Sequence, residues 1–339
     1  MKIVVGLSGG VDSSVALLLL KNDGYDVSAI TMKIWDKNYK FEITKGKHAC
    51  LCPDEDEEIT IAKKVCDILD VKHEVIDLSK EYREKVLSYF SSEYIAGRTP
   101  NPCVVCNREI KFGSLFDYAT KNSAKFATGH YAINRFDEHF NRFSIIRNNS
   151  NKDQSYFLCR LSQGQLSKCI FRLGYLTKEQ VRDIARKNCL PTSEIKDSQN
   201  FFSGDHCQLI EKQNETGSFL SEEGLKVGTH SGYWHFTIGQ KHDGKYVKEI
   251  RKDTNEVILT DRVYSVAKNT FEISDINFVS DDKVSSNNIF VKVRSSGALH
   301  RCVIKDNVVS IESQTIISPG QFAVFYDEIG YLLFSGVIK

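Results

Sequence analysis

The chain has 339 residues, 41% hydrophobic and 26% charged, with 21 glycines and 5 prolines, a composition that excludes disorder and collagen-like repeats and allows two or three domains with real cores. A formal charge of +1 excludes a bulk pull toward nucleic acid, so any RNA contact has to come from local basic patches. No apolar run reaches the roughly 18 residues of a membrane span and MKIVVGLSGG reads as no signal peptide, so ten cysteines point to a cytoplasmic chain with catalytic or metal-binding thiols.

In chain order, KIVVGL (residues 2–7) is a short apolar run ending at Ser-Gly-Gly, and VDSSVALLLLKNDGY carries Val15, Leu18 and Leu19 before a glycine. That pattern predicts strand, tight turn, helix. DVSAITMKIW predicts a second strand, DEEITIAKKVCDILDV an amphipathic helix with an acidic first turn, and KHEVIDL a third strand. FGSLFDYATKNS predicts another helix and KFATGHYAI another strand. Strands alternating with helices imply an α/β fold with a doubly wound parallel sheet. TKEQVRDIARKNC predicts a further helix, followed by irregular chain. Beyond GYWHFTIGQK come short alternating stretches, NEVILTD, NIFVKVRS, HRCVIKDNVVSIES, GQFAVFYDE and GYLLFSGVIK, parted by Gly, Asp/Asn and Pro-Gly turns. They predict a small C-terminal antiparallel β-barrel. The expected division is 1–204, 205–265 and 266–339, with a small central domain between sheet and barrel.

GLSGGVDSS (Gly6 to Ser14) joins the first strand to the first helix. Glycine-freed backbone N–H groups and a helix N-terminus make an anion site. The Gly-Lys-Ser/Thr end of a Walker A loop is absent. Ser8, Ser13 and Ser14 can donate to phosphate oxygens, and Asp12 can hold Mg²⁺. The stretch SGGVDS resembles the PP-loop of ATP pyrophosphatases, which split ATP into AMP and pyrophosphate. Farther on, TPNPCVVCNREIKFG sets a Cys-x-x-C pair, Cys103 and Cys106, in what reads as a rigid Pro-flanked loop suited to soft-metal ligation. Cys66, Cys159, Cys169, Cys189 and Cys302 stand alone in periodic segments and read as buried small hydrophobes.

With that loop in place, the remaining motifs resemble the tRNA-specific 2-thiouridylase family (MnmA/TrmU). They are Met32, Lys33 and Trp35; GRTPNPCVVCNREIKFG (97–113); ATGHYA (127–132); KDQSYFL (152–158); KDSQ (196–199); HFTIGQ (235–240); and SPGQFAVFYD (318–327). The resemblance runs in order through nearly the whole chain. It implies a PP-loop, adenine nucleotide hydrolase-like domain that adenylates the C2 oxygen of the tRNA wobble uridine and then inserts sulfur. A carbonyl oxygen leaves poorly and AMP leaves well, while the attacking sulfur has to be a nucleophile. The resemblance further implies that Gly6, Leu7, Ser8, Gly9, Gly10, Val11, Asp12, Ser13, Met32 and Gly129 line the ATP site. His130, Lys152, Asp153, Gln154 and Gln321 would touch tRNA. Arg98, Arg108, Lys111 and Lys152 are the basic candidates for phosphate contact, and Cys106 is the implied catalytic thiol. The partners are then tRNA and a sulfur donor, either a persulfide carrier protein or inorganic sulfide, and the chain is expected as a monomer or weak dimer.

The chain departs from the family pattern at the second catalytic cysteine. Where that thiol is expected, KDSQNFFSGDHCQL has Phe201 and Phe202, and Cys207 lies downstream. Many members have Asp where this chain has Cys103. Three readings follow. Cys103, Cys106 and Cys207 could hold a 4Fe–4S cluster with one open iron for hydrosulfide, Cys50 and Cys52 being rivals for the third place. Cys106 could work with Cys207 or Cys103 by a persulfide route. Cys50, Cys52, Cys103 and Cys106 could hold a structural zinc. KHDGKYVKEI and VKVRSSGALH also depart from the family, which leaves thiolation of another RNA position open. The rivals in other classes are a PP-loop amidating enzyme on a small molecule, which needs no thiol, and an RNA-binding module with a relic nucleotide site.

Overall fold

In KIVVG the alternation of side chains sends Ile3 and Val5 into the core, both fully buried, and the strand they define is the centre of the first sheet. Five strands, β1 (Lys2–Gly6), β2 (Asp26–Lys33), β3 (His73–Asp77), β4 (Lys125–Thr128) and β5 (Cys169–Phe171), lie parallel in the order β3-β2-β1-β4-β5. The strand order reverses between β1 and β4, and in such sheets a crevice opens there at the carboxyl ends of the strands. The computed structural model describes residues 1–43, 49–121, 123–138, 141–148, 152–197, 200–280 and 288–339. His48, beside the paired cysteines Cys50 and Cys52, and Ser198 and Gln199 of the KDSQ motif lie outside the described residues.

The expected doubly wound sheet is therefore present, with one strand more than the sequence reading supplied. β5 is only three residues long, too short for its periodicity to register. Helix α1 (Val11–Asn22) buries residues on nearly every side because α2 (Glu55–Leu69) and α3 (Lys178–Lys187) both pack on it. Val15, Leu18, Ala62, Val65, Val181 and Ala185 share one apolar cluster there. α2 ends at Asp70, whose φ of 47° turns the chain away.

The stretch expected as a rigid thiol loop is a short helix, Pro102–Cys106, continuing through a wide π-type segment, Asn107–Leu115. Asn101 caps it by accepting from Val104 N at 3.2 Å, with Pro102 in the first turn where a missing N–H costs nothing. Cys103 and Cys106 are thus three residues apart on one helical face. Among the expected buried cysteines, Cys66, Cys159, Cys169 and Cys302 are buried, whereas Cys189 is exposed at a left-handed turn with φ of 52°. A hairpin, Ile133–Asp137 with Arg142–Ile146, went unread because its alternation is weak.

A second sheet runs through Gly217–Leu220, Lys226–His230, Lys241–His242, Lys245–Arg251 and Glu256–Thr260. The NEVILTD strand belongs to it rather than to the barrel. The C-terminal strands Ala267–Phe278, Ile289–Lys292, His300–Lys305, Val308–Ile316, Phe322–Tyr326 and Leu332–Ile338 close into an antiparallel barrel, as expected. Its tightest turn is Asp306-Asn307, with φ of 49° and 66°, the signs a two-residue hairpin turn needs.

The barrel bonds to the first domain at several places, one of them beside the thiol helix. Thr99 N donates to Pro319 O at 2.7 Å, and Gln321 Nε2 donates to Pro100 O at 2.8 Å, so the SPGQ turn holds the approach to the thiol helix. Gly320 makes this fit: its φ is +90°, and a Cβ would lie 2.9 Å from Arg98 Cβ and Thr99 O. Elsewhere the buried Arg160 donates to Asp275 O at 2.6 Å and to Asp275 Oδ2 at 2.7 Å. A hydrogen bond to a charged group is worth about 1.5–3 kcal/mol. Arg160→Ala is expected to lower stability by about that amount, measured as the shift of the urea midpoint of the full chain.

Candidate nucleotide and thiol site

The loop after β1 is built for close approach. Leu7 N donates to Ile30 O at 2.8 Å, Ser8 N donates to Ser13 Oγ at 3.1 Å, and Thr31 Oγ1 donates to Leu7 O at 2.7 Å. Gly9 has φ of +78°, and a Cβ there would meet Glu58 O at 2.5 Å. Gly129, after β4, comes as close from the other side: a Cβ would lie 2.7 Å from Asp12 C and Ser13 N. Two backbones thus press on the loop where α1 begins at Val11 without a side-chain cap, leaving its first N–H groups free for an anion.

The crevice above this loop is a cavity of ≈ 880 Å³, large enough for a nucleotide. Gly6, Leu7, Ser8, Gly9, Gly10, Val11, Asp12 and Ser13 line it, as do Met32 and Gly129. Ser14 does not reach it: the side chain is fully buried and its hydroxyl donates to Gly10 O at 2.9 Å. Ile30, Ile34 and Phe126 give the cavity an apolar flank.

Asp12 is held from two directions. Tyr131 Oη donates to its Oδ1 at 2.6 Å, and Lys178 Nζ donates to Oδ1 and Oδ2 at 2.8 and 2.9 Å. The same nitrogen is 2.6 Å from Asp197 Oδ1, and Lys152 Nζ donates to Asp197 Oδ2 at 3.1 Å. Lys178 and its hydrogen bonds hold the Asp197 carboxyl below its usual range despite the burial that raises it. Lys178 is the first residue of α3, fixed by a Thr177–Gln180 capping box. A cation at a helix N-terminus opposes the macrodipole, and these two carboxylates offset that cost. Sequence reading missed Lys178 and Tyr131, and that misplaced charge at a helix start is the signal that could have found Lys178.

The residues expected to touch RNA divide. Lys152 and Gln154 line the cavity, and Gln154 accepts from Tyr131 N at 3.0 Å. His130 lines it too but is buried, its Nδ1 2.7 Å from Thr128 Oγ1, and burial followed by the Lys111 charge pushes its pKa down to about 3. Asp153 turns inward and accepts from Asn148 N and Ser155 N, while Gln321 spends its amide on the thiol-helix approach. Arg98 is paired with Glu93 at 2.5 Å and Arg108 with Glu109 at 3.1 Å.

Lys111 is not on an outer face; it lines the cavity among thiols. Desolvation lowers its pKa, and Cys106, Cys50 and Cys103 together outweigh that and raise it above its ordinary range. Burial pushes the Cys103 thiol up to about 12 and Cys106 to about 11, with Lys111 opposing both shifts. Cys50 and Cys52 line the cavity, and neither Cys103 nor Cys106 does. Cys207 is apart from this group, beside Asp205. Among the described residues no set of three or more Cys, His, Asp or Glu side chains is arranged to hold a metal ion. Glu58, also in the wall, is a carboxyl that burial, then Glu55 and Asp54, push up to about 7.

Three family descriptions match in order: "tRNA methyl transferase HUP domain" over residues 1–202, "tRNA methyl transferase PRC-barrel domain" over 207–261, and "Aminomethyltransferase beta-barrel domain" over 268–338. The chain is 39% identical to a tRNA-specific 2-thiouridylase MnmA from Endomicrobium trichonymphae, over 97% of this chain and 96% of that one. It is 36% identical to a protein of the same name from Caldicellulosiruptor saccharolyticus, over 96% of this chain and 95% of the other. Among solved structures, the U34-tRNA thiolase NcsA from Methanococcus maripaludis with its [4Fe-4S] cluster aligns over 56% of this chain and 57% of that chain. Its identity of 18% and TM-score of 0.33 are too low to carry a conclusion.

Gly129→Ala brings a methyl group against the backbone of Asp12 and Ser13 and is expected to abolish ATP binding. Equilibrium dialysis with ATP checks this, with a circular dichroism melt confirming that the variant folds.

Proposed function

The chain belongs to the tRNA-specific 2-thiouridylase family, and from that premise we propose that it is an ATP-dependent tRNA-uridine 2-sulfurtransferase acting in the cytoplasm at the wobble uridine. The observation that supports this reading best is one cavity walled by both the phosphate loop and Lys111, five residues beyond Cys106 on the same helical segment. An amidating enzyme has no use for thiols there. The description of the matched families speaks of methyl transfer, but a phosphate loop beside thiols suits adenylation followed by sulfur attack. The three parts 1–204, 205–265 and 266–339 serve as catalytic, connecting and clasping units.

The chain's own residues would act as follows. The amides of Gly9 to Ser13 and the hydroxyls of Ser8 and Ser13 hold phosphate oxygens, while Met32 and Gly129 border the base and ribose. Tyr131 and Lys178 hold the Asp12 carboxylate at a fixed orientation. Asp12 offers hard oxygens of the kind magnesium takes, and Asp197 gives the Lys178 ammonium an alternative seat when a cation competes for them. When bound, magnesium would neutralise phosphate charge during the split of ATP. Because no three-ligand set stands ready among the described residues, no step is routed through an iron–sulfur cluster or zinc. Sulfur instead arrives from an external donor onto thiols, Cys106 being essential, and Lys152 at the cavity mouth meets the tRNA backbone.

The test is product analysis of ATP turnover with tRNA and a small-molecule persulfide. AMP and pyrophosphate are expected, and ADP with phosphate would overturn the assignment. A lost hydrogen bond to a charged phosphate costs about 1.5–3 kcal/mol, so Ser13→Ala is expected to lower kcat/KM for ATP about ten- to a hundredfold.

A further inference from the structure

We infer that Cys50 is the thiol that presents sulfur to the nucleotide cavity, working as a pair with Cys106. The inference rests on the thiolation reading above and names the residue that completes it.

Placement comes first. The strand Ala49–Leu51 runs parallel to Asn200–Phe202, with Ala49 opposite Asn200 and Leu51 opposite Phe202. Cys50 is therefore level with Phe201, displaced by one strand spacing of about 4.8 Å. Phe201 itself packs on Phe90 and His206, with ring centroids 5.0 and 5.1 Å away, and offers nothing nucleophilic. Cys50 faces the cavity that the phosphate loop floors, whereas Cys106 is buried behind it. The buried Tyr82 and the cavity-lining Lys111 each lie within electrostatic reach of Cys50, Cys103 and Cys106.

Electrostatics separates Cys50 from its competitors. Burial pushes the Cys50 thiol above its ordinary range, Lys111 opposes that shift, and Glu58 adds to it. Cys52 faces Glu58, Asp54 and Glu55, which together with burial push it up to about 12. Asp205 does the same to Cys207, and that thiol is not among the groups that shift Cys103, Cys106 or Lys111. Of the described thiols in the cavity wall, Cys50 is the one on which a lysine charge acts.

The chemistry balances as follows. The Cys50 thiolate attacks the outer sulfur of an external persulfide R–S–SH, releasing R–SH and leaving Cys50–S–SH. That outer sulfur, deprotonated, attacks C2 of the adenylated uracil; a C–S bond forms, the C–O bond to AMP breaks, and AMP departs with its electron pair. The Cys106 thiolate next attacks Cys50 Sγ. The S–S bond to the base breaks, its electron pair stays on the sulfur at C2, and a Cys50–Cys106 disulfide remains. An external dithiol supplies two electrons and two protons to restore both thiols.

The experiment compares the full chain with Cys50→Ser, Cys189→Ser and Cys207→Ser, using unmodified tRNA, ATP and a small-molecule persulfide. Cys50→Ser is expected to keep AMP formation and lose sulfur transfer, while the other two variants keep both. Peptide mapping of the wild type after one turnover without reductant is expected to find Cys50 linked to Cys106. Sulfur transfer by Cys50→Ser at the wild-type rate would overturn the inference. So would loss of AMP formation in that variant, which marks a merely structural residue, or iron in the wild type that disappears with Cys50. A wild type that transfers no sulfur at all would instead overturn the functional reading, so the two failures are told apart.

Discussion

The phosphate loop is squeezed between two backbones, and the rest of the first domain is arranged to permit it. Gly9 lies against the carbonyl of Glu58 and Gly129 against Asp12 and Ser13, each too close for a Cβ. This places the start of α2 and the end of β4 at fixed distances from the start of α1. It follows that Asp12, at the second position of α1, points to Tyr131, two residues past Gly129, and to Lys178 on α3. A parallel sheet whose order reverses between β1 and β4 makes the crevice, but the glycines determine what stands in it.

The thiol helix is held from outside the sheet domain. Asn101 caps the helix within its own segment, while Gln321 of the barrel bonds Thr99 and Pro100 just upstream and receives a bond from Asn101 Nδ2 at 3.2 Å. Barrel and sheet domain therefore share the job of placing Cys103 and Cys106. A buried Arg160, stacked on Phe322 and bonded to Asp275, ties the same barrel down at a second point. Positions of reacting groups that depend on several elements are rigid because their support is redundant.

Some of this was legible because its cause is local. SGGVDSS announces a phosphate loop through glycines needed for tight turns, and the Asp306-Asn307 turn announces a hairpin. Four of the five parallel strands showed as apolar runs. What depends on tertiary register did not show. Cys50 and Phe201 become neighbours only through a two-strand ladder that joins segments 151 residues apart, so Cys207, closer in sequence to the missing thiol, looked the better candidate. Lys111 looked like an RNA contact until the wide turn after Cys106 put it in the cavity wall. Ser14 has the same chemistry as Ser13, and only the helical rotation of one residue sends it inward.

The most direct test of the central claim is nucleoside mass spectrometry of unmodified tRNA incubated with the full chain, ATP and a persulfide, followed by fragment mapping. The account predicts sulfur at C2 of the wobble uridine, dependent on the chain and on ATP. Sulfur at another nucleotide, or tRNA left unmodified while ATP is consumed, would contradict it.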